Sequence, residues 1–107
     1  MYELRHFLSA SGKDVFDEWL DRVRDQRAQA AILARLDRLE LGVFGDTKPA
    51  GGGVHELRID VGAGYRVYYA NRGKTILLLL CGGDKSSQKA DIKHAVKYLR
   101  EFDQRKP

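Results

Sequence analysis

The sequence has little of what would support a secreted, membrane-spanning or disulfide-linked protein. Its 107 residues include one cysteine, Cys81, which excludes a disulfide framework within the chain. The longest apolar run, Ile76 to Cys81, is far too short to span a bilayer. The N-terminus carries charge at Glu3 and Arg5, where a signal peptide needs an apolar segment. We therefore expect a cytoplasmic protein, and the length predicts a single domain over residues 1–107.

The cysteine and the histidines give no sign of a metal site. Cys81 ends an apolar stretch, so burial is the favoured interpretation and a catalytic thiol is disfavoured. No second cysteine stands near a histidine at the spacing of metal ligands. We expect no metal and no other cofactor.

Positive charge is concentrated in the second part of the chain. The formal net charge is +4 at pH 7. Residues 1–45 carry 7 Lys and Arg against 8 Asp and Glu, whereas residues 46–107 carry 12 against 7. Such a local excess attracts polyanions, nucleic acids above all. The alternative, an ordinary solvated surface, stays open on charge alone.

The N-terminal half predicts a short strand followed by a helical hairpin. Residues 2–8 alternate weakly, and Gly12-Lys13-Asp14 opens a helix. The apolar residues of this helix recur at helical spacing: Phe16, Trp19, Leu20 and Val23. A second helix runs from about Gln26 to Leu41, and Gly42 follows it as a left-handed cap. The predicted core stripe of this second helix comprises Ile32, Leu33, Leu36 and Leu39.

The second half predicts an antiparallel β-meander and a last helix. The glycine-rich stretch 42–53 is predicted to be a loop, and turns at 62–64 and 71–73 separate three strands. In the first of these strands, one face carries His55, Leu57, Ile59 and Val61, and the other carries Glu56, Arg58 and Asp60. A helix after Gly83 has an apolar stripe on the sheet side and a basic outer face of Lys89, Lys93, Lys97 and Arg100. The fold class is therefore α+β.

The predicted hairpin places two arginines opposite each other. If its turn is centred on Gly62, Arg58 faces Arg66 and Glu56 faces Tyr68. Opposed like charges destabilise a hairpin, so the pairing indicates an anion between the arginines. A shift of one residue in register, or neutralisation by a carboxylate of the same strand, are the alternatives.

Four ordered motifs and the order of elements resemble the RelE/ParE superfamily of toxins from bacterial type II toxin–antitoxin modules. The motifs are Gly45–Lys48, Gly53–Ile59, Gly62–Tyr69 and Leu79–Gln88. The resemblance is closest to the HigB-like branch, often called addiction module killer proteins, and covers nearly the whole chain. It implies a compact RelE/ParE-like domain that cleaves mRNA in the ribosomal A site without a metal. It also implies a cognate helix-turn-helix antitoxin as partner.

The same resemblance leaves two other functions open. The superfamily includes proteins that poison DNA gyrase on the same fold, so the fold alone cannot choose the target. A nucleic-acid-binding module that has lost its activity is a further alternative. The RelE pattern has a lysine where Glu56 stands here, and a tyrosine on the last helix where this chain offers only Ile92 or a near neighbour.

The resemblance and the chemistry together select the candidate catalytic residues. Arg66, after Gly64-Tyr65, matches the arginine that RelE-type nucleases place against the scissile phosphate, and Lys85 matches a second basic residue after the last strand. Attack by the RNA's own 2′-hydroxyl needs a base, an acid and cations. We expect Arg58, Arg66 and Lys85 to supply the cations. Glu56 is the first candidate for the base and His55 the second.

Further residues are predicted to bind RNA around these cations. Tyr65 and Tyr69 are expected in the core, which leaves Tyr68 on the arginine face to stack on a base. The predicted RNA-binding residues are Lys48, Tyr68, Lys89 and Lys93.

Overall fold

A computed structural model describes residues 1–105 as an α+β domain, which confirms the predicted fold class. Its elements are β1 (Glu3–His6), α1 (Val15–Arg22), α2 (Gln26–Glu40), β2 (Thr47–Gly51), β3 (Val54–Ile59), β4 (Tyr65–Arg72), β5 (Ile76–Asp84), a 3₁₀ turn (Lys85–Ser87) and α3 (Gln88–Gln104). The five strands of this part form one sheet in the order β1-β5-β4-β3-β2. β1 runs parallel to β5, and the other neighbours are antiparallel. None of the helices within the described range is long and apolar enough to cross a membrane.

Both N-terminal helices begin at aspartates and form the predicted hairpin. Asp14 accepts a hydrogen bond from the Asp17 amide, and Asp25 caps α2 in the same way. Gly42 follows α2 with φ of 84°, as predicted for a left-handed cap. One prediction about α2 is wrong, because Leu33 is 47% exposed. It lies about 100° around the helix from its neighbour Ile32, which faces the sheet.

The sheet is covered on both faces. One core lies under α1 and α2, and it comprises Phe16, Ile32, Leu36, Leu39, Leu57, Ile59, Val67, Tyr69, Leu77 and Leu79. The other lies under α3, and it comprises Phe7, Val54, Tyr68, Ala70, Leu78, Leu80, Cys81, Ala95 and Leu99. The side of β3 and β4 that carries Glu56, Arg58, Arg66 and Tyr68 therefore faces α3 rather than solvent. Within residues 1–105, the end of this face beyond the start of α3 carries an open cleft.

The predicted loop 42–53 contains a strand. β2 pairs with β3 at the edge of the sheet, with Thr47 opposite Leu57 and Lys48 opposite Glu56. Its pairing shifts between Pro49 and Gly51, where the ladder is irregular. Proline and glycine are tolerated at an edge because neither a missing amide nor a missing side chain disturbs a further strand. The same residues made this segment look like a loop.

The meander and its register are as predicted. β3, β4 and β5 are consecutive antiparallel strands, with Arg58 opposite Arg66 and Glu56 opposite Tyr68. The end of β5 depends on glycine for a packing reason. A β-carbon at Gly82 would collide with the indole of Trp19 from α1, so the absence of a side chain lets α1 sit directly on the strand.

Candidate phosphate-binding site

A polar cleft of about 220 Å³ lies at the open end of the sheet, where β3 ends, β4 begins and β5 leads into the 3₁₀ turn. Its lining residues are Asp46, Arg58, Ile59, Asp60, Gly64, Tyr65, Arg66 and Lys85. The structure thus brings together the three cations that the sequence predicted. They come from three different segments, so the fold and not local sequence assembles the cleft.

Arg58 and Lys85 are the accessible cations of the cleft. The Arg58 side chain is 39% exposed, and its Nε lies 3.5 Å from Asp46 Oδ2. The Arg58 amide also donates to the Asp46 carbonyl oxygen at 2.9 Å. Lys85 is exposed at the start of the 3₁₀ turn and makes no ion pair within residues 1–105. Both side chains can therefore reach an anion from solvent.

Arg66 is held from beneath by a buried carboxylate. Its side chain is only 12% exposed, Nη1 donates to the Gly64 carbonyl at 2.9 Å, and Nε lies 3.6 Å from Glu56 Oε2. Glu56 is fully buried, and its other oxygen accepts a hydrogen bond of 2.7 Å from Gln88 Nε2. The contact with Arg66 is an ion pair that is longer than a hydrogen bond. Glu56 therefore orients Arg66, and it does not line the cleft as a proton acceptor would need to.

Tyr68 cannot stack on a nucleotide as predicted, because its side chain is fully buried under α3. Burial raises the pKa of its hydroxyl far above the ordinary value, and the nearby charges of Glu56 and Asp91 add to the increase. The hydroxyl therefore stays protonated. Within the described part of the chain, Tyr68 Oη, Glu56 Oε2 and Arg66 Nε have no hydrogen-bond partner. Two of these atoms, Glu56 Oε2 and Arg66 Nε, lie 3.6 Å apart and form the ion pair described above.

The other predicted residues lie outside the cleft. Lys48 is exposed on β2 opposite Glu56, and it does not contribute to the lining. His55 points to the α1–α2 side and stacks on Tyr69 with ring centroids 5.5 Å apart. Lys89 and Lys93 are exposed on the outer face of α3, which starts beside Lys85. Four-residue spacing along the helix separates such side chains by about 6 Å.

Sequence reasoning missed Asp46 and Gln88 as parts of this site, and it gave Asp60 only as an alternative counter-charge to the arginines. Asp46 precedes β2, whose glycines and proline predict a loop, and Gln88 contacts Glu56 across 32 residues of sequence. Asp60 follows Arg58 by two residues on the same face, and that spacing was the available signal. With three cations and two carboxylates, the cleft keeps a single excess positive charge. Two arginine forks in one cleft can bind the oxygens of a phosphate group.

The sequence matches the family described as Phage derived protein Gp49-like (DUF891) over residues 18–103. The chain belongs to the Gp49-like family. This is a toxin-like family of the addiction module killer or RelE-like type. An uncharacterized protein of Haemophilus influenzae is 54% identical to the Gp49-like chain over 80 residues, which are 75% of this chain and 81% of that protein. The family match includes all the residues that line the cleft.

Proposed function

We propose that this Gp49-like protein is the toxin of a type II toxin–antitoxin module and cleaves mRNA on the ribosome. We assign it to the HigB-like branch, place it in the cytoplasm and expect a helix-turn-helix antitoxin as its partner. The observation that carries the proposal is the convergence of Arg58, Arg66 and Lys85 on one cleft. The family supports a toxin–antitoxin role, and the cleft supports a phosphodiester as the ligand.

The proposed reaction uses the 2′-hydroxyl of the RNA as nucleophile. The oxygen attacks the adjacent phosphorus, a 2′,3′-cyclic phosphate forms, and the bond to the 5′-oxygen breaks as that oxygen takes up a proton. Arg58 and Arg66 stabilise the charge that grows on the phosphate oxygens. Lys85 is a point charge with three N–H donors, so it suits the departing 5′-oxygen.

The proton of the 2′-hydroxyl needs an acceptor other than Glu56. Glu56 is enclosed between Arg66 and Gln88, whereas Asp60 is an exposed carboxylate that lines the cleft. Asp60 also makes no ion pair within the described range, in contrast to Asp46. We assign proton abstraction to Asp60, since a general base must reach the hydroxyl from the cleft surface.

The lysines of α3 supply binding energy that the cleft alone lacks. A site with one excess positive charge holds a polyanion weakly, because affinity for nucleic acid rises with the number of phosphates neutralised. Lys89 and Lys93 extend the positive surface from Lys85 along α3. We propose that the RNA backbone or ribosomal RNA follows this row of lysines.

Poisoning of DNA gyrase is the second candidate function. The observation that favours it is the role of Glu56, which is a buried structural residue at a position where the RelE pattern has a lysine. A chain that lacks this lysine can use the same fold against another target.

Pulse labelling after induction separates the two functions. We expect incorporation of amino acids into protein to fall before incorporation of thymidine into DNA. The variant Arg58→Ala should relieve the arrest, whereas Lys74→Ala, which removes an exposed charge from the turn between β4 and β5, should not. Early loss of DNA synthesis with continuing translation would replace the nuclease proposal by the gyrase alternative.

A further inference from the structure

Arg35 reaches the cleft from behind, through the main chain. It lies on α2, on the opposite side of the sheet from α3. Its Nη1 donates to the Arg58 carbonyl oxygen at 2.6 Å, and its Nη2 donates to the carbonyl oxygens of Phe44 at 3.0 Å and Asp46 at 3.5 Å. One guanidinium therefore holds the backbone of two cleft residues, Asp46 and Arg58.

Asp46 passes this constraint to the Arg58 side chain. The Asp46 carbonyl accepts the Arg58 amide at 2.9 Å, and the Asp46 carboxylate lies 3.5 Å from Arg58 Nε. The end of β3 is thus fixed to the segment before β2 on both sides, by Arg35 on the α2 side and by the Asp46 carboxylate on the cleft side. The direction of the Arg58 side chain depends on both contacts.

The contacts of Arg35 are specific to an arginine. Its guanidinium is partly buried, and this burial lowers the pKa of Arg35 below the ordinary value, with a further lowering from the nearby Arg38. The guanidinium can stay charged in this partly buried place because its fixed fork of N–H donors bonds several carbonyl oxygens at once, which a lysine cannot do. The group also lies against Gly45, where φ is 65° and a β-carbon would come within 2.9 Å of Arg35 Nη2.

We propose that Arg35 is a positioning residue of the phosphate cleft, which fixes Arg58 toward the ligand by holding the main chain of Asp46 and Arg58. The proposal deepens the proposed function and rests on it for the identity of the ligand. Arg35 is not among the residues that line the cleft. Its removal should therefore weaken RNA binding only while Arg58 is present.

The test is a double-mutant cycle on affinity for a non-cleavable, 2′-O-methylated single-stranded RNA. Arg35→Gln should lower the affinity about tenfold in the wild-type background and change it little in the Arg58→Ala background. Arg35→Lys should behave like Arg35→Gln, although it keeps the charge, and it serves if the Gln variant fails to fold. Arg38→Gln is the matched control, since it removes an exposed charge from the same helix and should leave the affinity close to wild type. Equal affinities of the Arg35 and Arg38 variants, or a full tenfold loss in the Arg58→Ala background, would overturn the proposal.

Amide hydrogen exchange separates this inference from the proposed function. In the same variants the Arg58 amide should exchange about tenfold faster after Arg35→Gln, while the amide of Val67 in the sheet centre is unchanged. If the wild-type protein neither binds this RNA nor cleaves mRNA on ribosomes, the proposed function fails and this exchange rate decides the role of Arg35. An Arg58 amide that exchanges at the wild-type rate in both Arg35 variants would refute that role.

Discussion

Replacement of Arg66 by alanine should destabilise the fold in addition to impairing the function. Glu56 is fully buried, and Arg66 is its ion-pair partner, with Nε 3.6 Å from Oε2 and the arginine side chain 12% exposed. After Arg66→Ala the carboxylate keeps, among its contacts within residues 1–105, the hydrogen bond from Gln88. A buried charge that loses its partner is costly, because water no longer solvates it.

The expected loss in the free energy of unfolding is about 3 kcal/mol. Two unit charges at this separation attract each other by about 4 to 5 kcal/mol at an effective dielectric constant of about 20. Removal of one member of a buried pair commonly costs about 3 to 5 kcal/mol, and the hydrogen bond from Gln88 favours the lower end. For Arg58→Ala the loss should stay below about 1 kcal/mol, because the pair of Arg58 with Asp46 is accessible to solvent.

Urea denaturation followed by circular dichroism measures both losses at pH 7. The second substitution Glu56→Gln should recover about 2 kcal/mol in the Arg66→Ala background, since it removes the unpaired charge. The reasoning would be refuted if Arg66→Ala and Arg58→Ala lowered the unfolding free energy equally, or if Glu56→Gln gave no recovery. If the prediction holds, Arg58→Ala is the better functional probe, because its effect on activity is not confounded by unfolding.

Three further predictions concern the core and the packing of α1. Leu57→Ala, at a fully buried position, should lower the unfolding free energy by about 2 to 5 kcal/mol, whereas Leu33→Ala should change it by less than about 1 kcal/mol because Leu33 is 47% exposed. Gly82→Ala should displace Trp19, and this should lower the melting temperature and shift the tryptophan emission to longer wavelength than in the wild type. An unchanged emission would contradict the packing of α1 on β5. Burial, and then the charge of Asp91, raises the pKa of the Cys81 thiol to about 12, so a thiol reagent at pH 8 should label it only at the rate of unfolding.

Local signals in the sequence were sufficient for the helices, the meander and its register. Asp14 marks the start of α1 because its side chain accepts a hydrogen bond from a free backbone amide of the first turn. Gly42 marks the end of α2 because glycine readily adopts the left-handed conformation that follows a helix. The turn at Gly62 set the pairing of Arg58 with Arg66, because the length of a hairpin turn fixes which residues face each other. The juxtaposition of Arg58 and Arg66 could be predicted for this reason, whereas Lys85 was predicted from the family resemblance.

The parts that depend on distant contacts were not predictable. Alternation along β3 separates two faces but does not say what covers each of them. The predicted roles of Glu56 as base and Tyr68 as stacking residue need an open face, whereas α3 buries both side chains. Arg35 contacts the Arg58 carbonyl across 23 residues, and no local pattern marks it. Tertiary packing determines the burial of such residues. Because α3 covers Glu56, this predicted base instead orients Arg66.

Cleavage of mRNA by the purified protein on programmed ribosomes tests the central claim most directly. New 5′ ends are mapped by primer extension. Arg58→Ala is the cleft variant, and Lys74→Ala is the control, which removes the same single positive charge outside the cleft. We predict cleavage that requires ribosomes, persists in Lys74→Ala and falls by about a hundredfold or more in Arg58→Ala, since its cation stabilises developing charge. Intact mRNA with the wild-type protein, or equal cleavage by wild type and Arg58→Ala, would contradict the account.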